Sequence, residues 1–323
     1  MIFPLIERLK QNRFLRTVLG VDSRNDLRRI NRDIQQLKVQ LGRLQMLLTN
    51  QQAANLREAE FKAYSQFGED GIIQYILRHS GKVPPTFIEF GVEDYAEANS
   101  RFLLEGCNWR GLIIDGNDDS IRWVREQEYY WRYPLTAIAS FITRDNVNRL
   151  FTDNRMTGEI GLLSIDIDGN DYWVWDSIHV VDPAIVVAEY NSVFGSRRAV
   201  TVPYDPNFQR TRAHSSNLYW GCSLAALTFL ANKKGYYLVG CNSAGNNAFY
   251  LRRGISQLPE VTNQEAFHDA GFRESRDRNG RLTFLQGMDR LREISAMPLY
   301  DVAAQVNLCC GDLETPQDAA NGR

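Results

Sequence analysis

From about residue 60 onward, the apolar residues of this chain gather into short runs separated by polar stretches. TFIEF (86–90), GLIID (111–115), LTAIAS (135–140), IGLLSID (160–166) and AIVVAEY (184–190) are rich in β-branched residues and show no strict apolar–polar alternation. Runs of this kind are buried on both faces, which predicts parallel strands covered by helices. Glu69 to His79 reads as a helix, and the polar stretches Asp119 to Glu128 and Arg144 to Thr152 can be helical. SLAALTFLANKKGYYLVG (223–240) adds a helix and a strand, and NAFYLRR (247–253) adds another strand. The expected fold is α/β: a Rossmann-like, doubly wound, mostly parallel sheet of about seven strands.

A different period governs the stretch before it. Leu27, Ile30, Ile34, Leu37, Leu41, Leu44 and Leu48 follow one another at spacings of 3, 4, 3, 4, 3 and 4. That is an a/d heptad seam, the pattern of a coiled-coil helix. A coiled coil requires a partner helix, and self-association into a homo-oligomer supplies one. A single amphipathic helix lying on the domain is the alternative. Residues 1–20 mix Arg8, Lys10, Arg13 and Arg16 with Ile6, Leu9, Phe14, Leu15, Val18 and Leu19. Such a segment either docks as a terminal helix or makes peripheral contact with an anionic membrane surface. The expected organisation is an amphipathic segment (1–20), an oligomerisation helix (21–56), an α/β domain (60–255) and a C-terminal extension (256–323). In that extension Asn279-Gly280 predicts a type I′ hairpin. ETPQDAANGR at the end reads as a disordered tail.

Composition narrows the class. The chain of 323 residues has a formal net charge of −2, which points away from a nucleic-acid binder. Five scattered cysteines without CxxC spacing suggest reduced thiols and a cytoplasmic setting, if need be at the inner face of a membrane.

In an open parallel sheet, ligands bind beyond the carboxyl ends of the strands. Those ends read Glu89-Phe90-Gly91, Asp115-Gly116, Ala139-Ser140, Asp166-Ile167-Asp168 and Glu189-Tyr190-Asn191. An acid after the second strand, Asp115, suits two ribose hydroxyls, and Gly91 allows a ligand close to the backbone. Gly91 is followed by Val92-Glu93-Asp94, and no GxGxxG is present. Those acids would repel a pyrophosphate but tolerate a cationic nucleoside such as S-adenosylmethionine.

SQFGEDGII (65–73), FIEFGVEDYAEANSRFLL (87–104), NWRGLIIDG (108–116), LLSIDIDGNDYWVW (162–175) and GYYLVGCNSAGNNAFYLRR (235–253) together resemble class I S-adenosylmethionine-dependent methyltransferases, in particular the FkbM-type and sugar O-methylating branch. The resemblance covers residues 60–255. It implies that Glu89 and Gly91 border the amino-acid end of the cofactor, that Asp115 meets the ribose and that Ala139 and Ser140 lie near the adenine. It also implies that Gln66 and Asn99 shape the pocket. The chain departs from that pattern at Val92 to Asp94, where another glycine is common.

The acid-rich LLSIDIDGND invites a calcium-loop reading, but counting from Asp166 puts Asp171 at the sixth position and Ser177 at the twelfth, where glycine and glutamate are required. The strand-end oxygens of Asp166, Asp168, Glu189 and Asn191 suit Mg²⁺ or Mn²⁺, which would acidify an acceptor hydroxyl. Catechol-type and macrolide-sugar O-methyltransferases resemble this arrangement. Equally, Asp168 to Asp171 is good turn and N-cap chemistry. Without a metal, Asp171 and His214 are the candidate general bases. The long loop 193–217 carries Arg197, Arg198, Arg210 and Arg212 with Tyr204 and Phe208, residue types that suit a sugar or an acidic acceptor. The expected activity is O-methylation of a sugar or glycan hydroxyl with S-adenosylmethionine, with divalent-metal assistance. The alternatives are a metal-independent methyltransferase of another small molecule and a non-catalytic coiled-coil scaffold.

Overall fold

The computed structural model describes residues 24–313. The amphipathic segment 1–20 and the tail ETPQDAANGR lie outside the described residues. The main sheet has seven strands in the order β3-β2-β1-β4-β5-β8-β7. They are β1 (Thr86–Phe90), β2 (Arg110–Asp115), β3 (Leu135–Ala139), β4 (Gly158–Ile165), β5 (Val181–Glu189), β7 (Tyr236–Cys241) and β8 (Asn247–Arg252). β1 to β5 pair in parallel, while β8 runs antiparallel between β5 and β7. The sheet is thus Rossmann-like and mostly parallel, as the run pattern predicts.

The absence of alternation in the strands has a direct structural cause. Within β1, Ile88 and Phe90 enter one core cluster while Phe87 enters another on the opposite face. The same division separates Leu112 and Ile114 from Ile113, and Val186 and Ala188 from Ile185 and Val187. Both faces are covered by helices, so both sets must be apolar.

Strand order places the site. β1 and β4 are adjacent in space, although β2 and β3 come between them in sequence, so the chain reverses its direction of travel across the sheet here. Such a switch point opens a crevice at the carboxyl ends of the strands.

The segment after residue 256 is folded rather than peripheral. β9 (Pro298–Asp301) and β10 (Val306–Cys309) form a second, three-stranded sheet with β6 (Val200–Thr201), which comes from the loop after β5. Phe194, Val200, Leu218, Leu291, Leu299 and Cys310 share one small core beneath it. The hairpin signal at Asn279-Gly280 corresponds to a real turn, with the Arg281 carbonyl accepting from the Asp277 N–H at 2.8 Å. Its type differs from the expected I′: Gly280 takes φ +76°, but Asn279 is not among the residues at positive φ. A type I′ turn requires both.

The heptad stretch lies in one helix, Arg24–Gln52. It docks on the domain through Val39 and Met46, which pack against Phe61, Tyr64 and Phe102.

Candidate functional site

A cavity of about 730 Å³ opens at the switch point, lined from the ends of β1, β2, β4 and β5, the 208–220 loop and the 270–274 segment. Gln66, Glu89, Gly91, Asn99, Asp115 and Ser140 all line it, as do Asp166, Asp168, Glu189 and Asn191. The expected residues are therefore largely brought together. What each side chain does there differs in several cases.

Glu89 is a framework residue. Its carboxyl accepts from the backbone N–H groups of Asn99 (2.8 Å) and Ser100 (3.0 Å) and from the Ser100 hydroxyl. Burial pushes its carboxyl up to about 7, against the pull of those hydrogen bonds. The turn it holds aims Asn99 at Ser164, with Nδ2 donating to Oγ at 3.1 Å. Glu89 thus tethers the turn after β1.

Asp115 ties two loops together. One carboxylate oxygen accepts from the Glu93 N–H at 2.8 Å and the other from the Asn117 N–H at 2.7 Å. Each oxygen retains acceptor capacity on the cavity side, since a carboxylate offers about four lone-pair sites. Gly91 has φ +65°, and a Cβ there would lie 1.6 Å from the Asp166 carbonyl oxygen. The close approach expected for a ligand is made here by the neighbouring strand's own backbone. In the loop where another glycine was expected, Glu93 and Tyr95 take left-handed φ values of 48° and 59°. Tyr95 is anchored there by its fully buried ring, whose hydroxyl bonds the Ser100 Oγ at 2.8 Å.

Several expectations are corrected. Ala139 is not part of the cavity wall; it packs against the core, and Phe141 and Ile142 take its place beside Ser140. Asp171 is fully buried behind the turn it stabilises, accepting from the Ile167 N–H at 2.9 Å and the Gly169 N–H at 3.0 Å. Burial pushes its carboxyl up to about 6, but it does not border the cavity, so it is no base for a bound acceptor. His214 is likewise outside the lining; its Nδ1 bonds the Ser216 hydroxyl at 2.8 Å within a local turn. Asn191 spends its side chain on protein: Nδ2 donates to the carbonyls of Leu218 and Trp220, both at 2.9 Å, and Oδ1 accepts from the Val193 N–H. Its amide N–H groups are thus committed to the 218–220 loop, and its Oδ1 to the turn after β5. Asp168 takes φ +53° and pairs with Arg210 at 2.8 Å, which turns it toward the loop. Of the arginines expected to meet an acceptor, Arg197, Arg198 and Arg212 do not line the cavity, and Arg198 pairs with Asp301 at 3.1 Å.

Asp166 and Glu189 remain, and they form the chemically unusual feature of the site. Ile165 and Ala188 are register partners, so the next residues face each other at the ends of β4 and β5. Both carboxyls are raised well above the usual carboxylate range. Burial is the main cause for each; Asp168 adds most to Asp166, and Asp166 adds most to Glu189. Glu189 Oε2 is buried without an N–H or O–H donor among the described residues. Two like charges in such a place do not both stay ionised; the pair shares a proton or takes a cation. Among the described residues, no group of three or more His, Cys, Asp or Glu is arranged to hold a metal ion.

Phe208 and Arg210, picked out in the long loop from the sequence, complete the wall together with Trp220, Phe67 and Phe272, which were not. Phe208 packs over Gly169, where a Cβ would lie 2.2 Å from its ring. Arg210 lies over the Trp220 ring at 4.8 Å, and Phe272 meets Phe67 at 4.9 Å between ring centres. Glu69 and Asp70 build the turn that delivers Gln66 and Phe67. Asp70 accepts from the N–H groups of Ala63, Tyr64 and Ser65, and Glu69 from that of Phe67. The acid pair in SQFGEDGII was the legible signal for this.

No protein-family model and no curated protein matches this chain. Solved structures similar in fold include the N-terminal domain of EvdMO1 with SAH bound (8% identity, 57% of this chain and 79% of that chain, TM-score 0.37). Others are the DszA carbon methyltransferase (13% identity, 58% and 54%, TM-score 0.37) and an O-methyltransferase family protein from Burkholderia thailandensis (10% identity, 57% and 58%, TM-score 0.34). Scores this low bear on neither activity nor substrate, and the functional reading rests on the geometry of the cavity.

Proposed function

We propose that this chain is an S-adenosylmethionine-dependent O-methyltransferase acting on a neutral hydroxyl acceptor of the sugar or glycan class. The observation that carries the reading is the Asp166–Glu189 carboxyl pair, one half-buried and one buried, in the wall of a cavity that Asp115 also lines. The residues fit the cofactor. Asp115 keeps acceptor capacity for ribose hydroxyls, and Glu93 and Glu97 in the wall, with Asp94 beside Glu93, favour a cation over a pyrophosphate.

When bound, S-adenosylmethionine supplies an electrophilic methyl group on a positively charged sulfur. The chain supplies the rest. Asp115, Gly91 and the turn held by Glu89 shape the cofactor end. Phe208, Trp220 and Phe272 offer aromatic surface to a sugar ring. In this reading the Asp166–Glu189 pair takes the acceptor hydroxyl proton, since burial gives it a higher affinity for protons than an ordinary carboxylate has. The charge of the wall selects the acceptor. Besides Glu89 and the Asp166–Glu189 pair, whose carboxyls are raised, Glu93, Glu97, Asp115, Asp168 and Glu274 line the cavity against Arg210 and Arg290. Both arginines are already paired, with Asp168 and Asp269. An acidic or phosphorylated acceptor would meet unbalanced like charge.

A second reading has its own support in the same pair. Mg²⁺ or Mn²⁺ binds through one or two carboxylates with waters filling the remainder. Asp166 and Glu189 would hold it, and the ion would acidify the hydroxyl.

Calorimetric titration with S-adenosylmethionine and S-adenosylhomocysteine tests the first step. Saturable binding of both, followed by a mass increase of one methyl group on an acceptor from a neutral sugar panel, is expected. Absence of cofactor binding by the folded protein would leave the scaffold reading in place.

A further inference from the structure

Among the described residues, nothing covers the middle of the apolar seam of the Arg24–Gln52 helix. Ile34 is 46% exposed, Leu37 63%, Leu41 56% and Leu44 53%, values far from those of core residues. The helix is nevertheless firmly seated through another face. Gly42 lies so close to Phe102 that a Cβ would meet its ring at 2.5 Å. Arg43 Nε donates to the Gly106 carbonyl at 2.9 Å, and the Gln35 carbonyl accepts from the Tyr64 hydroxyl at 3.4 Å. With Leu27 at position a, the docked residues Gln35, Val39, Gly42 and Met46 fall at b and f. The domain therefore holds the helix by its back and presents the a/d seam outward.

We propose that this seam pairs with a second copy of the chain as a parallel, in-register, two-stranded coiled coil. Each Asp33 then meets the partner's Lys38. Charge complementarity decides the occupant and its direction. Asp33 stands at g and Lys38 at e of the next heptad, the two positions that meet across a parallel pair. Asp33 is exposed, and Lys38 lies 4.4 Å over the Tyr64 ring; neither is ion-paired among the described residues. An antiparallel pair sets g against g and e against e. The g positions here are Asp26, Asp33, Gln40 and Leu47 and the e positions Asn31, Lys38 and Gln45, so neither charge would find its opposite. The seam from Leu27 to Leu48 runs for roughly 33 Å at 1.5 Å per residue. A third strand would need more of the e flank, which the domain already occupies at Gln45, whose Oε1 is buried.

The test uses the full chain and sedimentation equilibrium across about 1–100 µM. A dimer is expected, with Leu37→Asp/Leu41→Asp giving a monomer of unchanged circular dichroism, since both side chains are exposed in a single copy. Asp33→Lys should raise the dimer dissociation constant several-fold, and adding Lys38→Asp should restore it. Leu27→Cys should form a self-disulfide on mild oxidation, confirmed by peptide mapping, as only a parallel register brings the two copies of residue 27 together. A monomer throughout, a trimer, a dimer without that disulfide, or a monomer that uses the seam to bind anionic phosphatidylserine vesicles would each overturn the proposal.

Discussion

A β-carbon on Gly91 would lie 1.6 Å from the carbonyl oxygen of Asp166, so the loop after β1 and the loop after β4 touch backbone to backbone. This contact sets the width of the crevice between the adjacent strands β1 and β4. Gly91→Ala must either push the loops apart or abandon φ +65°. We expect a loss of at least about 1–3 kcal/mol in stability, the scale of one strained backbone position. Cofactor affinity should fall with it. Urea unfolding with parallel S-adenosylhomocysteine calorimetry measures both, and a variant as stable and as tight as the parent would contradict the contact.

Asp115 carries two kinds of work, and substitution should separate them. Asp115→Ala removes the acceptor for cofactor hydroxyls and also strands the N–H groups of Glu93 and Asn117. Cofactor affinity should weaken roughly tenfold or more, at about 1.4 kcal/mol per tenfold. Calorimetry reads this directly; an unchanged dissociation constant removes Asp115 from the cofactor end.

The Asp166–Glu189 pair is expected to act in turnover rather than in cofactor binding. Glu189→Gln should reduce kcat by about 10²–10⁴, the usual contribution of a positioned acid–base group. S-adenosylhomocysteine affinity should be retained. Assay in excess chelator separates the two roles of the pair. Full activity there assigns it the proton; loss restored by Mg²⁺ or Mn²⁺ assigns it the cation.

Asp171 and His214 should fail as catalytic residues for different reasons. His214→Ala touches a surface turn, so both turnover and stability should stay close to the parent, within about 0.5 kcal/mol. Asp171→Asn leaves a buried N–H of Ile167 or Gly169 without an acceptor, which costs about 1–3 kcal/mol. A large drop in kcat for His214→Ala at parental stability would return that residue to the mechanism.

Glu89 should give a pH signature in stability. Its folded carboxyl, at about 7, is above the ordinary value of about 4.3. The folded state therefore binds this proton more tightly than the unfolded state does. The contribution is fully present below the unfolded value and is lost as pH rises through about 7. Urea midpoints measured from pH 5 to pH 8 should decline less steeply in Glu89→Gln than in the parent. Equal slopes would show that Glu89 ionises without penalty.

The strands were legible because burial on both faces leaves continuous apolar runs, and this local signal survives in any arrangement of the sheet. The heptad seam was legible for a similar reason: a period of 3.5 is a property of the helix itself. Glu89, Asp115, Asp166 and Glu189 could be placed at strand ends by counting, since strand ends of a parallel sheet converge. Their duties could not be read in this way. Whether a carboxylate faces the cavity or caps a turn depends on which N–H groups stand within about 3 Å, and that is set by the path of the loops after each strand. Asp171 and Asp166 are five residues apart in one acid-rich stretch, yet one is sealed behind its own turn and the other meets Glu189 across strands. The sequence could not show that the Asn191 amide N–H groups donate to the Leu218 and Trp220 carbonyls. Likewise, residues 256–313 showed little pattern because their small sheet is completed by β6, contributed by the chain about a hundred residues earlier. Periodicity records which face of an element is dry; only the tertiary structure decides which polar groups meet there.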